Sequence, residues 1–125
     1  MRRWFLAGAI LAFGSPLPLA AAEVIAQQAG SHVGETATVC GAVVSANYSV
    51  RTKGQPTFLN PDRPYPQQVF AILIWGTDRA KFGSPEVQHM SKRVCATGVI
   101  QSYKGKPEIV ATDPGQLSVR RSVAV

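Results

Sequence analysis

Aromatic and cationic side chains occur together in two short polar segments of this 125-residue sequence. They are Tyr48, Arg51 and Lys53 in NYSVRTKG, and Tyr103, Lys104 and Lys106 in SYKGK. Aromatic rings can stack on the bases of a single-stranded nucleic acid, while lysine and arginine follow its phosphates. The pairing therefore predicts an oligoanion-binding surface, although basic turns are equally common as ordinary solubilising chemistry.

A third group of aromatic and polar side chains lies within a proline-rich stretch. It consists of Phe58, Asn60, Arg63 and Tyr65, interleaved with Pro61, Pro64 and Pro66. Unbroken apolar residues follow from Val69 to Trp75, a pattern typical of a strand that is buried on both faces. Two interpretations remain open: the stretch forms the floor of a binding groove, or it is a lid that plugs the end of the fold. Trp75 and Phe82 are assigned to the core.

The residue types that enzymes use for chemistry are scattered along the chain. The acidic residues are Glu23, Glu35, Asp62, Asp78, Glu86, Glu108 and Asp113. They form no cluster suited to metal binding or general base work, and no serine, cysteine and histidine constellation offers a nucleophile with its base. His32 and His89 stand alone, as surface or capping residues. The sequence therefore predicts a binding protein rather than an enzyme, with no cofactor and no metal site.

The first 22 residues have the three regions of a secretory signal peptide. A basic start (MRRW) is followed by an apolar run (FLAGAILAF) and by small residues that include Ala20 and Ala22. This pattern predicts cleavage between Ala22 and Glu23, since the apolar run is too short for a comfortable membrane span. An uncleaved N-terminal anchor is the alternative. Cleavage would leave 103 of the 125 residues and lower the net charge from +6 to +4, because Arg2 and Arg3 are removed.

Export determines how Cys40 and Cys95 are interpreted. In an oxidising compartment, two cysteines 55 positions apart most simply form a disulfide, and the two histidines of the chain are too few to suggest a zinc site. A bond that closes a loop of this length would stabilise the fold by about 3–4 kcal/mol in the chain-entropy model. A pair of reduced thiols is the alternative.

Five runs of residues have the composition and alternation of β-strands. They are 36–50, 57–60, 68–75, 92–103 and 107–112. A short helix is expected at Ser84 and Pro85, between the third and fourth runs, and an amphipathic helix over 23–34. Three strands, a helix and two strands are the order of an OB-fold, which is an all-β, five-stranded Greek-key barrel. A β-sandwich fits less well because it needs about seven strands.

The phase of residues within the first and fourth strands tests this topology. Gly41 and Gly98 fall on the inward face, where a small barrel needs a bend and a close backbone approach. Cys40 and Cys95 each follow an inward valine by one position, so both point off the same outer face. Because these two strands are antiparallel neighbours in an OB barrel, the topology predicts a Cys40–Cys95 disulfide across them.

Several segments between residues 36 and 117 resemble a family of small exported bacterial OB-fold domains that are usually described as nucleic-acid-binding. They are TFLN with the following YP, FAILIWG, FGSPE, TGVIQSYKGKPEI and DPGQL. The run TG.I..Y.GKP.I is the most specific of these and is similar to runs in OB domains fused to secreted nucleases. The resemblance implies a nucleic-acid-binding role by analogy of fold.

The sequence thus predicts a signal peptide over 1–22, an OB-fold domain over 23–119 and a flexible tail over 120–125. The domain is expected to be periplasmic or secreted from a bacterium, without stable membrane insertion after signal cleavage. OB-folds bind ligands on strands two and three, so the rims at 48–53 and 103–106 would hold single-stranded nucleic acid or another polyanion. The alternative is a module that binds a periplasmic protein and no nucleic acid, and steep salt dependence would distinguish the two.

Overall fold

The computed structural model describes residues 21–121 of the protein, so most of the predicted signal peptide and residues 122–125 of the predicted tail lie outside the described residues. The strands are β1 Ala22–Ile25, β2 Thr36–Tyr48, β3 Thr57–Pro61, β4 Ala71–Ile74, β5 Arg93–Val99, β6 Gln101–Tyr103, β7 Lys106–Val110 and β8 Leu117–Arg120. The helices are α1 Gly76–Phe82 and α2 Pro85–Gln88, with 3-10 helices over Ala26–His32 and Pro114–Gln116. Within residues 21–121, no helix is long and apolar enough to cross a membrane.

The long strand β2 organises the sheet because it pairs with three other strands. Its first half pairs with β1 in parallel and with β5 antiparallel, and its second half pairs with β3 antiparallel. β4 joins β3 antiparallel and β7 in parallel, and β6 pairs with β7. Because only Ile100 separates β5 from β6, the sheet closes back onto β2 through this bent segment. The result is an all-β, OB-like barrel in which α1 and α2 connect β4 to β5, as the predicted strand order requires.

The predicted number of strands is wrong, because the sheet formed by residues 21–121 contains eight strands rather than five. The predicted fourth strand, 92–103, is divided at Ile100, whose side chain is fully buried and whose amide donates to the carbonyl oxygen of Glu35. β1 and β8 are additional strands that flank β2 and β5. Arg120, the first residue of the predicted tail, is the last residue of β8.

The predicted helix over 23–34 is also wrong. Residues 22–25 pair with β2 instead, because Val24 alternates inward against Val39 while its neighbours point outward. Only Ala26–His32 is helical, and it is a 3-10 helix in which Ala26 and Ala29, three positions apart, are buried. Small residues at this spacing give little signal that separates a three-residue repeat from the 3.6-residue repeat of an α-helix.

Aliphatic and aromatic side chains that point inward build the core of the barrel. The largest that are fully buried include Phe70, Leu59, Ile72, Ile74, Ile100 and Ile109. Each stabilises the fold by about 1.5–3 kcal/mol relative to an exposed position. Phe82 packs in the same cluster, as predicted. Trp75 does not, since it is 40% exposed and its ring packs against Gly54, where a Cβ atom would lie only 2.9 Å from the ring.

Two glycines allow close approaches that the barrel needs, as their inward phase predicts. A Cβ atom on Gly41 would lie 2.7 Å from Cβ of Pro61, and one on Gly98 would lie 2.9 Å from Cγ2 of Ile109. Either contact is too short for a real Cβ atom, so a side chain there would push neighbouring strands apart. Gly41 therefore admits the end of β3 against β2, and Gly98 admits β7 against β5.

The predicted disulfide is present between Cys40 of β2 and Cys95 of β5, which stand directly opposite each other. Both cysteines lie on the face away from the core valines, as their phase predicts, yet each is only 1% exposed. A carboxylate oxygen of Glu23 lies 3.5 Å from the Cys40 sulfur, and the Glu23 carboxylate accepts two hydrogen bonds from Arg120 at 2.9 and 3.0 Å. This ion pair joins β1 to β8 beside the disulfide.

The side chain of Gln116 bridges β5 and β7, two strands of the barrel that are not paired with each other along their length. Its side-chain Nε2 donates to the carbonyl oxygens of Thr97 at 3.0 Å and Val110 at 3.3 Å. Its Oε1 accepts from the backbone amides of Thr112 at 2.8 Å and Asp113 at 3.1 Å. One side chain thus satisfies backbone groups that a regular strand pairing would otherwise satisfy.

Candidate functional site

An open groove crosses the outer face of the barrel. Leu59, Ile72 and Ile109 point into the core, so their neighbours along β3, β4 and β7 point outward into this groove. It consists of two hollows, with volumes of about 560 and 340 Å³. Both hollows are lined by Phe58, Tyr65, Gln68 and Lys104, and therefore form one continuous surface.

The first hollow is lined mostly by hydroxyl and amide side chains. Besides the four shared residues, its lining consists of Ser45, Ala46, Asn47, Ser49, Thr52 and Asn60. The Ser45 hydroxyl oxygen accepts a hydrogen bond of 2.9 Å from the Asn60 amide and one of 3.2 Å from the backbone N–H of Tyr65. These bonds hold Tyr65 against β2, and the lining offers both donors and acceptors to a ligand.

The second hollow is smaller and contains a carboxylate. Besides the shared residues, its lining consists of Pro66, Ala71, Tyr103, Lys106, Pro107 and Glu108. Glu108 stands between Ala71 on β4 and Gln101 on β6, as their direct cross-strand partner. Ala71, whose side chain is a single methyl group, and Glu108 both line this hollow.

The proline-rich stretch forms a wall of the groove. The ammonium group of Lys106 donates to the carbonyl oxygen of Pro66 at 2.6 Å and to Oε1 of Gln68 at 3.4 Å, so the wall is tied to β7. The Tyr65–Pro66 peptide bond is cis, and the Tyr65 side chain is 73% exposed. The sequence left open a groove floor or a lid; the stretch lines the groove through Phe58, Asn60 and Tyr65, but its proline-rich end forms a wall rather than the predicted floor.

A two-residue turn between β6 and β7 presents the second aromatic ring. Lys104 and Gly105 have φ angles of 51° and 78°, as in a type I′ hairpin turn. Positive φ is uncommon for lysine because its Cβ atom is crowded there. The turn leaves Tyr103 60% exposed and holds the Lys104 ammonium 5.4 Å from the centroid of the Tyr103 ring.

The structure brings together six of the ten predicted ligand residues. They are Phe58, Asn60, Tyr65, Tyr103, Lys104 and Lys106. Three other predicted residues, Arg51, Lys53 and Arg63, are exposed but do not line either hollow. In sequence, Arg51 and Lys53 flank Thr52, which lines the first hollow.

Tyr48, the tenth predicted residue, does not face the groove. Its cross-strand partner on β3 is the fully buried Thr57, and residues paired in this way share a face of the sheet. The guanidinium carbon of Arg79 lies 3.7 Å from the centroid of the Tyr48 ring, and Arg79 also donates to both carboxylate oxygens of Glu86 at 2.6 and 2.7 Å. Tyr48 therefore ties β2 to α1 through Arg79, a contact with no signal in the sequence.

Several groove residues were not among the predicted ones. They are Ser45, Asn47, Ser49, Thr52, Gln68 and Glu108. Alternation along each strand provides the missing signal, because Glu108 lies two positions from Lys106 and therefore on the same face of β7. Burial raises the pKa of the Glu108 carboxyl above its ordinary value of 4.5.

The closed strand order, with parallel pairing of β4 and β7, and the open groove on its outer face define an OB-like barrel with a candidate ligand face. No protein-family model matches the chain. No curated protein sequence matches it either.

The solved structures that are similar to the chain include two synthetases. One is a chain described as an aspartyl-tRNA synthetase from Leishmania major Friedlin, with a TM-score of 0.49 and 11% identity, covering 84% of this chain and 22% of that chain. The other is the aspartyl tRNA synthetase from Entamoeba histolytica, with a TM-score of 0.42 and 16% identity, covering 71% of this chain and 19% of that chain. The chain thus spans about a fifth of the length of each synthetase. The OB-like class rests on strand order and closure rather than on these likenesses.

Proposed function

We propose that the groove binds single-stranded nucleic acid. The observation that carries this proposal is the position of two strongly exposed rings, Tyr65 and Tyr103, on one continuous groove that also contains the Lys104 ammonium. When a nucleic-acid base stacks on an exposed aromatic ring, the contact contributes about 1–3 kcal/mol to the binding free energy. The Lys104 ammonium, 5.4 Å from the centroid of the Tyr103 ring, would meet a phosphate beside the stacked base.

The distribution of charge around the groove also supports this proposal. Lys104 and Lys106 line it, and two further exposed cations, Arg51 and Lys53, are the sequence neighbours of the lining residue Thr52. Glu108 is the only acidic residue among the lining residues. A chain of phosphates would therefore meet a net positive surface, while the hydroxyl and amide groups of the first hollow could bond base edges or sugars.

We further propose that the groove binds its ligand without reacting with it. Within residues 21–121, each histidine is engaged away from the groove: His32 lies 3.0 Å from Glu35, and His89 lies 3.1 Å from the carbonyl oxygen of Pro85. Glu108 has no second carboxylate beside it in the groove lining with which to share acid and base roles. An assay for cleavage of a labelled oligonucleotide, with and without added divalent metal, tests this point.

We also propose that the protein is exported and that it is related to exported OB domains. The disulfide supports export, because such bonds persist in oxidising compartments. The predicted cleavage would make Glu23, the partner of Arg120, the first residue of the mature protein. Mass spectrometry of the protein recovered from the periplasm or medium should give a mass beginning at Glu23. A retained Met1 would indicate an anchor.

Titration of fluorescent single-stranded oligonucleotides of mixed sequence, at two salt concentrations, tests the binding proposal. Affinity should fall as salt rises, by about 0.7 logarithmic units per tenfold change in salt for each phosphate contacted. Duplex DNA of the same sequence should bind more weakly, since paired bases are not free to stack on Tyr65 and Tyr103. Absence of binding would reject the proposal. Equal binding of dextran sulfate would indicate a general polyanion site, and a salt-independent protein partner captured by the groove would support the alternative module.

A further inference from the structure

Glu108 is the one group in the groove that is poorly suited to an anionic ligand. It points outward from β7 and lines the second hollow together with Tyr103, Lys104 and Lys106. Tyr103 is the direct partner of Lys106, which lies two positions before Glu108, so Tyr103 and Glu108 are diagonal neighbours on one face. Diagonal neighbours lie about 7–8 Å apart, a separation that one base stacked on the groove side of Tyr103 can bridge.

The Glu108 carboxyl has no hydrogen-bond or ion-pair partner among the described residues. The charged or titratable side chains that share its hollow are Tyr65, Tyr103, Lys104 and Lys106. Lys106 is directed to Pro66 and Gln68 instead, and the ammonium of Lys104 lies over the Tyr103 ring. Its strand partners Gln101 and Ala71 carry no charge. A half-buried carboxylate without a donor is unfavourable, and burial accordingly raises its pKa.

A ligand that brings hydrogen-bond donors would complete this site. Resting on the proposed function, we infer that Glu108 selects the base that stacks on Tyr103, by accepting a hydrogen bond from an exocyclic amino group. Cytosine, adenine and guanine carry such a group, and a glutamate that accepts from the cytosine amino group is a known mode of base recognition. Thymine and uracil instead present carbonyl oxygens on both sides of a single N–H, and these oxygens would repel the carboxylate.

The comparison of cytosine with thymine isolates this contact, because the two bases are of similar size. Oligonucleotides of about eight nucleotides, all dC or all dT, match the span of an OB barrel. At neutral pH, the wild-type protein should bind the dC oligomer about tenfold more tightly than the dT oligomer, within the range measured for a good base contact.

The matched variant is Glu108→Gln, which keeps the size of the side chain and removes its charge. A glutamine can donate to the thymine carbonyl oxygen as well as accept from the cytosine amino group. The variant should therefore bind both oligomers with similar affinity, chiefly because binding of dT becomes tighter. Asp78→Asn removes the same charge from α1, away from the groove, and should keep the wild-type preference.

Each outcome of the experiment decides the inference. Equal binding of dC and dT by the wild-type protein would overturn it while leaving the groove a nucleic-acid site. A preference that persists in Glu108→Gln would also overturn it, since another residue would then read the base. If neither oligomer binds, the inference and the proposed function both fail. The wild-type ratio alone is decisive should the variant not fold.

Discussion

The ammonium group of Lys106 donates a 2.6 Å hydrogen bond to the carbonyl oxygen of Pro66. This bond joins β7 to the wall of the groove that carries Tyr65, across 40 positions of sequence. The sequence predicts that Lys106 contacts phosphate, but this bond gives it a structural role. Lys104, two positions earlier, makes no such bond within the described residues. The two lysines should differ in what their removal does.

Removing Lys104 should change binding through charge alone. Lys104→Ala should weaken the binding of every oligonucleotide by a similar factor and reduce the salt slope by about 0.7 units, as expected for a single phosphate contact on a single strand. Its melting temperature should equal that of the wild type, because the side chain is exposed. Lys92→Ala, a substitution of an exposed lysine outside the groove, serves as the control and should leave the slope unchanged. An unaltered slope in Lys104→Ala would show that this lysine does not contact phosphate.

Removing Lys106 should instead loosen the wall. Lys106→Met keeps the length of the side chain but cannot donate to Pro66, so backbone amides over residues 63–69 should exchange faster with deuterated solvent. Binding should weaken because Tyr65 is held less firmly, with a smaller change in salt slope than in Lys104→Ala. Unchanged exchange rates over this segment would contradict the structural role of the bond.

Two substitutions of Tyr103 separate the contribution of its ring to binding from that of its hydroxyl group. Tyr103→Ala should cost about 1–3 kcal/mol of binding free energy, and Tyr103→Phe should cost little, since it keeps the ring. Neither should lower the melting temperature, because Tyr103 is 60% exposed. If titration calorimetry gave equal affinity for Tyr103→Ala and the wild type, the ring would not be a stacking platform.

The parts of the fold that alternation controls are those the sequence predicts well. Cys40 and Cys95 share a face because each follows an inward valine, and this phase, combined with the pairing of the two strands in an OB barrel, leads to the correct disulfide. The inward glycines at 41 and 98 are predicted for the same reason. β1 and β8 are different, because four-residue edge strands have too few alternating positions to stand out from turns or helix.

The residues of the candidate site also fall into two groups, those that strand alternation predicts and those that it does not. Phe58 and Asn60, or Lys106 and Glu108, occupy one face because they lie two positions apart, which a strand assignment already implies. Tyr48 could not be placed in this way. A register shift in β2 between Val43 and Ser45 precedes it, and such a shift exchanges the faces of all later residues. In the run TG.I..Y.GKP.I, Gly98, Ile100 and Ile109 have packing roles, so that motif reports the barrel more than its ligand.

Gln116, which bridges β5 and β7, should contribute to the stability of the fold and not to the binding of nucleic acid. Gln116→Ala leaves two backbone carbonyl groups and two backbone amides without their partner, and should lower the free energy of unfolding by about 1–3 kcal/mol. Gln27→Ala, in an exposed position of the 3-10 helix, should have little effect. Urea denaturation measures both. A loss no larger than that of the control would mean that water replaces the glutamine without cost.

The pH dependence of stability should report the burial of Glu108. Because the pKa of its carboxyl is raised in the folded state above the ordinary value of 4.5, folding favours the protonated form. The stability that this preference contributes is fully present below pH 4.5 and is lost as the pH rises through the folded-state pKa. Glu108→Gln stays neutral at every pH, so its free energy of unfolding should exceed that of the wild type at neutral pH.

That advantage of Glu108→Gln should shrink as the pH falls from neutral through the folded-state pKa of Glu108, and should be gone below pH 4.5, where the wild-type carboxyl is protonated in both states. Urea denaturation of both proteins across this range measures the difference. Asp78→Asn loses the ion pair with Lys81 and should gain no stability at neutral pH. Equal stability of Glu108→Gln and the wild type at neutral pH would mean that the carboxylate is solvated in the groove without a ligand. A ligand would then have no unpaired charge to satisfy.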